Sequence, residues 1–337
     1  MSCYNDLKKF SEEWIRKYKK AGYRIVGKNL HSGVEICRWT KSALRGGRHC
    51  YKRWYGIKSH RCVQMTPTLD FCNFSCSFCW RTFSKDRFKH NGNWDDPKTI
   101  IEEAIKAQRE LISGFGGNSK TDKRTFDEAN NPVHFAISLD GEPTLYPYLA
   151  DLIKEIKKRN CTAFLVTNGT MPNRLIELLE KDAIPTNLYI SVYATNNEDY
   201  EKITNSFIKN PFERVKESLK LMKEFEKKRC RTIFRITCVK DLNMKNPECY
   251  AELIKSANPM FVELKGYTWI GDSRKRLKKE NMPTTEDLIN FANEICKFTG
   301  YKIKITDKVS RVILMVRDEE TWNFNLELIK EQNARNN

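Results

Sequence analysis

Residues 62–79 read CVQMTPTLDFCNFSCSFC: a short strand-like run, Val63 to Thr66, leads into a turn and then three cysteines, Cys72, Cys76 and Cys79, spaced CX3CX2C. Three thiolates leave one iron of a four-iron cube without a protein ligand, whereas zinc sites and ordinary ferredoxin clusters are closed by a fourth. No fourth ligand follows Cys79 at knuckle spacing. The stretch therefore predicts a loop at a strand end that holds an open-sided [4Fe–4S] cluster.

Downstream, β-branched or aromatic runs alternate with amphipathic stretches, the rhythm of parallel βα units. The expected strands are Val133 to Ser138, Thr162 to Thr167, Asn187 to Val192, Thr232 to Val239 and Met260 to Leu264, which with Val63 to Thr66 make six. Between them, Tyr148 to Arg159, Pro172 to Lys181, Pro211 to Lys228 and Pro247 to Ala257 have helical spacing, several with proline in the first turn. The segment DDPKTIIEEAIKAQRELISGFGG predicts a helix capped by Asp95 or Asp96, with Pro97 in its first turn and a glycine stop at Gly114 to Gly117. Residues 118–131 read as a polar, turn-rich surface insertion. The first 60 residues and the stretch from Gly266 to about Asn281 do not follow the rhythm and read as appendages.

The expected fold is α/β: a partial parallel (β/α)6 TIM-like barrel with an N-terminal cysteine-bearing extension. The expected division is residues 1–62 as a basic extension, 63–300 as the barrel, and 301–337 as a C-terminal cap in which Arg311 to Val316 is a late strand. A chain of 337 residues with 40% hydrophobic content suffices for one large core.

No stretch approaches the roughly 20 apolar residues of a membrane span, and the start MSCYNDLKKF lacks the apolar core of a signal peptide. The expectation is a soluble, cytoplasmic monomer. In that compartment twelve cysteines point to metal ligation or catalysis before disulfides. A net charge of +17 makes a positive field that attracts polyanions, nucleic acid above all.

The CX3CX2C loop with Phe78 before the last cysteine, at the end of the first strand of a βα series, resembles the signature of the radical S-adenosylmethionine superfamily. That resemblance implies a cluster on Cys72, Cys76 and Cys79 whose open iron chelates S-adenosylmethionine, and a one-electron cleavage to a 5′-deoxyadenosyl radical fed by an external reductant. SLDGEPTLYP, at the end of the second strand, is similar to the superfamily's glycine-glutamate-proline element, so Gly141, Glu142 and Pro143 are expected at the methionine amino group. Asn168, Ser191 and Thr237 stand at later strand ends, where barrel sites lie, and are candidate contacts to the methionine or ribose. Glu263 and Lys265 hold a comparable place after the sixth strand.

Upstream, HSGVEICRWTKSALRGGRHCYKRWYGIKSHRC brings Cys37, Cys50 and Cys62 at nearly equal intervals and suggests a second cluster, also one ligand short. Between Lys41 and Arg61 lie seven basic residues and no acidic one, with Tyr51, Trp54 and Tyr55 interleaved. That mixture suits phosphate contacts with base stacking, through Arg45, Arg48, Lys52 and Arg53. A second basic run, SRKRLKK, adds Arg274, Lys275, Arg276 and Lys278.

Taken together, these motifs resemble the archaeal tRNA 4-demethylwyosine synthases, with a departure of one residue in the gap between Cys50 and Cys62. The resemblance implies two [4Fe–4S] clusters, S-adenosylmethionine, and the condensation of pyruvate with N1-methylguanosine at position 37 of tRNA(Phe), a carbon–carbon lyase chemistry of wyosine biosynthesis. It also implies pyruvate at the upstream cluster and a lysine beside it as Schiff-base partner, for which Lys41 is the first candidate and Lys52 the second. His49 and His60 flank this set and suit RNA contact or backbone satisfaction. The other cysteines, Cys3, Cys161, Cys230, Cys238, Cys249 and Cys296, read as small apolar residues. Rival readings are another two-cluster radical enzyme acting on a different base or a peptide, and a zinc-stabilised RNA-binding protein without catalysis.

Overall fold

In the computed structural model the described residues are 12–84, 87–90 and 92–336, which leaves Cys3 outside them. Two compact units emerge: Met1–Cys72 with Ser84–Leu165 and Ile329–Asn337, and Asn73–Phe83 with Val166–Leu328. The boundary falls between Cys72 and Asn73, inside the cysteine loop.

The first unit begins with helix α1 (Glu12–Lys20) and two short strands, β1 (Tyr23–Val26) and β2 (Ser32–Glu35), which pair antiparallel. Helix α2 (Arg38–Leu44) then leads to β3 (Cys62–Thr66), which pairs antiparallel with β2. Helices α3 (Pro97–Ile112) and α4 (Lys123–Ala129) precede β4 (His134–Ile137); α5 (Leu149–Lys158) precedes β5 (Thr162–Thr167). Strands β3, β4 and β5 run parallel, with Cys62 opposite His134 and His134 opposite Thr162.

The cap of α3 is Asp96, whose carboxylate accepts from the Thr99 N–H at 3.0 Å. Asp95 is buried instead, accepting from the Lys28 and Asn29 N–H groups. The expected polar insertion holds a helix, α4, because Asp122 caps it and Ala129 joins a buried cluster with Ile36, Leu44 and Ile112 against which Phe126 packs. Polarity of the turn residues hid that apolar face.

The second unit carries α6 (Pro172–Glu180), β6 (Asn187–Val192), α7 (Asn197–Thr204), α8 (Pro211–Lys220), α9 (Met222–Lys227), β7 (Arg231–Cys238), α10 (Pro247–Ala257) and β8 (Phe261–Gly266). Strands β6, β7 and β8 run parallel, with Ser191 opposite Arg235 and Arg235 opposite Glu263. The expected single helix Pro211 to Lys228 is two, since at Leu221 the backbone bonds tighten to three-residue spacing, Glu224 N–H to Leu221 O at 3.0 Å. Helix α11 (Thr285–Thr299) leads to β9 (Lys302–Asp307) and β10 (Val312–Val316), and β10 lies antiparallel between β8 and β9. Helix α12 (Glu319–Asn336) follows. The strands are near-continuous apolar runs because both faces are covered: β6 and β10 are buried along their whole length.

Candidate cluster and cofactor site

Cys37, Cys50 and Cys62 each stand at the beginning of an element in the first unit. Cys37 is the N-cap residue of α2, and its side chain makes no capping hydrogen bond. Cys50 precedes a 3-10 turn, Tyr51–Tyr55, and its Sγ accepts from the Lys52 N–H at 3.5 Å. Cys62 opens β3. Ser59 ties the segments together, its Oγ accepting from the Cys50 N–H at 2.8 Å and its carbonyl from the Thr40 hydroxyl at 2.8 Å. Neither Ser59 nor Thr40 stood out in the sequence, because a hydroxyl that braces backbone has no motif.

Burial pushes the Cys62 thiol up to about 12; Cys37 and Cys50 press it the same way and Lys52 opposes them. Burial also raises Cys37, against the opposing N–H groups of Trp39 and Thr40 and the charge of Lys52. Cys62 is therefore within electrostatic reach of Cys37 and Cys50, and Lys52 acts on both Cys62 and Cys37. Half-buried thiols in that company resist ionisation on their own, and a bound metal removes the resistance by deprotonating them outright. The donor set suits an iron–sulfur cluster. Among the described residues no three His, Cys, Asp or Glu side chains are gathered so as to hold a metal ion.

Lys41, the first candidate amine, is exposed on α2, and only its backbone N–H touches the site, donating to Cys37 O at 3.0 Å. Lys52 is half-buried, faces the cysteines, and sits 5.7 Å from the buried Phe164 ring. Of the expected phosphate contacts here, Arg45 and Arg53 are exposed, and Arg48 is half-buried with its guanidinium 5.9 Å from Trp39. His60 bonds Glu128 at 2.8 Å, so its ring is held by α4.

The glycine-glutamate-proline element lies against the turn before Cys72. Gly141 has φ +69°, and a Cβ there would lie 1.8 Å from Thr68 O and 2.5 Å from Phe71 O. Only glycine permits that approach. The Glu142 N–H donates to Phe71 O at 2.8 Å, and its buried carboxylate accepts from the Thr144 hydroxyl at 2.6 Å. Pro143 is buried beside it. The Cys72 N–H donates to Arg87 O at 2.9 Å, and the Arg87 guanidinium is itself buried 3.6 Å from Asp140. A buried carboxylate in a rigid turn suits an ammonium ligand.

In the second unit, the Ser75 and Ser77 N–H groups donate to Thr204 O and Ile203 O, pinning the chain around Cys76. Phe78 lies 5.0 Å from Tyr193, ring to ring. Asn168 accepts from Thr170 of its own turn and donates to Asn73 of the cysteine loop at 2.7 Å. Thr237 is half-buried, its carbonyl accepting from Asn243 at 2.8 Å, and Ser191 is 5% exposed. Ser191, Arg235 and Glu263 are registered across β6, β7 and β8, with Arg235 3.3 Å from the fully buried Glu263. Arg235 was missed; its signal is a cation in mid-strand, the second of RTIFRITC, two residues before Thr237 and on the same face. The Lys265 amine is turned to the Ser310 carbonyl.

Arg276, expected at RNA, instead donates to Ser77 O at 3.1 Å and to Cys79 O, with its guanidinium over Phe83 at 4.8 Å. Carbonyls turned outward by a tight loop need donors, and an arginine fork supplies several at once. Arg274, Lys275 and Lys278 are exposed. Cys161, Cys230 and Cys238 are buried, Cys249 and Cys296 partly so, and all are free thiols, which suits their reading as small apolar residues.

Known proteins carry the same organisation. The model of the radical SAM superfamily matches residues 66–254, and that of wyosine base formation residues 256–317. The S-adenosyl-L-methionine-dependent tRNA 4-demethylwyosine synthase of Pyrococcus abyssi is 48% identical over 91% of this chain and 90% of its own. The Methanocaldococcus jannaschii enzyme of the same name is 35% identical over 93% of this chain and 98% of its own. A solved structure of TYW1 with a lysine-pyruvate adduct bound superposes with a TM-score of 0.82 at 33% identity, covering 92% of this chain and 97% of that one. The fold is thus the expected mixed α/β type, consistent with a partial TIM-like barrel. With its three-cysteine loop, its glycine-glutamate-proline turn and relatives of this similarity along nearly its whole length, the chain belongs to the radical S-adenosylmethionine superfamily and, within it, to the tRNA 4-demethylwyosine synthase family.

Proposed function

We propose that this protein condenses pyruvate with N1-methylguanosine at position 37 of tRNA(Phe) to give 4-demethylwyosine, using two [4Fe–4S] clusters and S-adenosylmethionine. The observation that supports the reading is the setting of Cys62, a thiol that feels Cys37, Cys50 and the charge of Lys52. Cys72, Cys76 and Cys79 would hold the first cluster, which with S-adenosylmethionine supplies the radical that takes hydrogen from the N-methyl group. Gly141, Glu142 and Pro143 hold the methionine ammonium, the Glu142 carboxylate fixed by Thr144.

Lys52, not Lys41, is the amine we assign to the pyruvate carbonyl, since only Lys52 lies in the field of the cysteines. A relative solved as a lysine-pyruvate adduct supports an amine in this role. The enzyme acts as a monomer, drawing one electron from an external donor. Among the described residues no helix is long and apolar enough to cross a membrane.

The test is anaerobic reconstitution with iron and sulfide, then incubation with dithionite, S-adenosylmethionine, pyruvate and N1-methylguanosine-containing tRNA, with nucleosides read by mass spectrometry. A 4-demethylwyosine product that requires pyruvate is expected. 5′-Deoxyadenosine without a tRNA product would move the substrate elsewhere, to another base or a peptide; absence of iron and of both products would favour a zinc RNA-binding protein. Cys76→Ala should abolish S-adenosylmethionine cleavage, whereas Cys50→Ala should spare part of it and block the tricycle.

A further inference from the structure

We propose that Trp80, backed by Arg81, is a stacking platform for an unpaired base of the RNA loop, with the segment Gly271–Lys278 supplying phosphate contacts around it. The inference rests on the tRNA reading above and deepens it by naming where the loop is gripped.

Trp80 directly follows the last cysteine of the loop and is 42% exposed. Arg81, itself buried to 7% exposure, lays its guanidinium 3.6 Å from the Trp80 ring centroid. A cation at that distance fixes the ring and leaves an exposed aromatic surface. The backbone beneath is equally fixed. Trp80 O accepts from the Asp272 N–H at 3.0 Å, and a Cβ on Gly271, at φ +58°, would lie 2.1 Å from that carbonyl. Gly271 therefore serves close approach of the two segments.

The supporting segment is rigid: Tyr267 donates to Ser273 Oγ at 2.8 Å, and the Trp269 indole donates to Leu277 O at 2.9 Å. It displays Arg274, Lys275 and Lys278 to solvent. An exposed, preorganised indole among cations is the chemistry that binds single-stranded nucleic acid, where bases stack on aromatics and phosphates meet Lys and Arg. Loop bases are recognised in this splayed state, so the occupant is a nucleotide beside the target base.

The full-length reconstituted protein should be titrated with an anticodon stem-loop carrying 2-aminopurine next to the target position, anaerobically and without reductant, so that binding is read apart from turnover. Wild type should quench the probe on binding. Trp80→Leu should lose the quenching and bind about tenfold more weakly, within the range for one stacked base; Trp80→Phe should keep most of both. Gly271→Ala, which displaces the platform without touching the ring, should resemble Trp80→Leu. Equal affinity and quenching in wild type and Trp80→Leu would overturn the platform and leave the tRNA reading intact. Failure of wild type to bind both the stem-loop and whole tRNA would overturn the tRNA reading itself.

Discussion

Lys41 and Lys52 share a basic stretch but not a setting, and the difference decides which can do chemistry. An amine on an exposed helix face is a solvated point charge; one beside half-buried thiols is held where a carbonyl could be met. With pyruvate and borohydride, intact-mass analysis should show a trapped adduct in wild type and Lys41→Ala and none in Lys52→Ala. Loss in Lys41→Ala alone would reverse the assignment. Gly141 gives a second test at this scale. A side chain there meets two backbone carbonyls at a positive φ, a conformation that alone costs about 1 kcal/mol. Gly141→Ala should weaken S-adenosylmethionine binding more than tenfold by calorimetry, and an affinity within threefold of wild type would remove the element from the ligand site.

Strand β4 carries its own pH sensor. His134 is buried, with Nε2 accepting from the Lys58 N–H at 3.2 Å and Nδ1 bonded to Thr162 at 2.8 Å, and burial lowers it from 6.5 to about 3. Because the folded value is the lower, the unfolded chain binds the extra proton, so stability is fully present above 6.5 and is lost as pH falls toward 3. From pH 7 to pH 5 this amounts to about 2 kcal/mol at 1.4 kcal/mol per unit. Urea midpoints should therefore fall more steeply with acid in wild type than in His134→Asn; parallel curves would mean that His134 is already charged in the fold. The parallel strands β3 to β5 of the first unit and β6 to β8 of the second were legible because burial on both faces leaves uninterrupted apolar runs. The hairpin β1–β2 was not: YRIV and SGVE are four residues each, and Gly27 and the positive φ of Leu30 in the turn give no alternation to read. In the site, the cysteines were legible from spacing, whereas the inward turn of Lys52 and Arg276 depends on contacts remote in sequence.

Over the whole molecule, an excess of 17 positive charges attracts polyanions, but the cations in the basic runs do not all have the same setting. Arg276 holds the carbonyls of the cysteine loop, while Arg274 and Lys278 face solvent. Arg274→Gln or Lys278→Gln should each reduce the slope of log affinity against log salt by about one. Arg276→Gln should instead alter the electron paramagnetic resonance spectrum of the reduced first cluster; an unchanged spectrum with a flattened slope would return it to the docking face. The cradle at Gly141 also bears on how the protein is made. Its two halves, the carbonyls at Thr68 and Phe71 and the turn at Gly141, are far apart in the order of synthesis. The loop's three cysteines, Cys72, Cys76 and Cys79, are all made before the glycine that packs against the turn leading into them. A nascent chain thus exposes these thiols before the wall that shapes their site exists, and the loop reaches its final form only once the Gly141 turn has been made and packed against it.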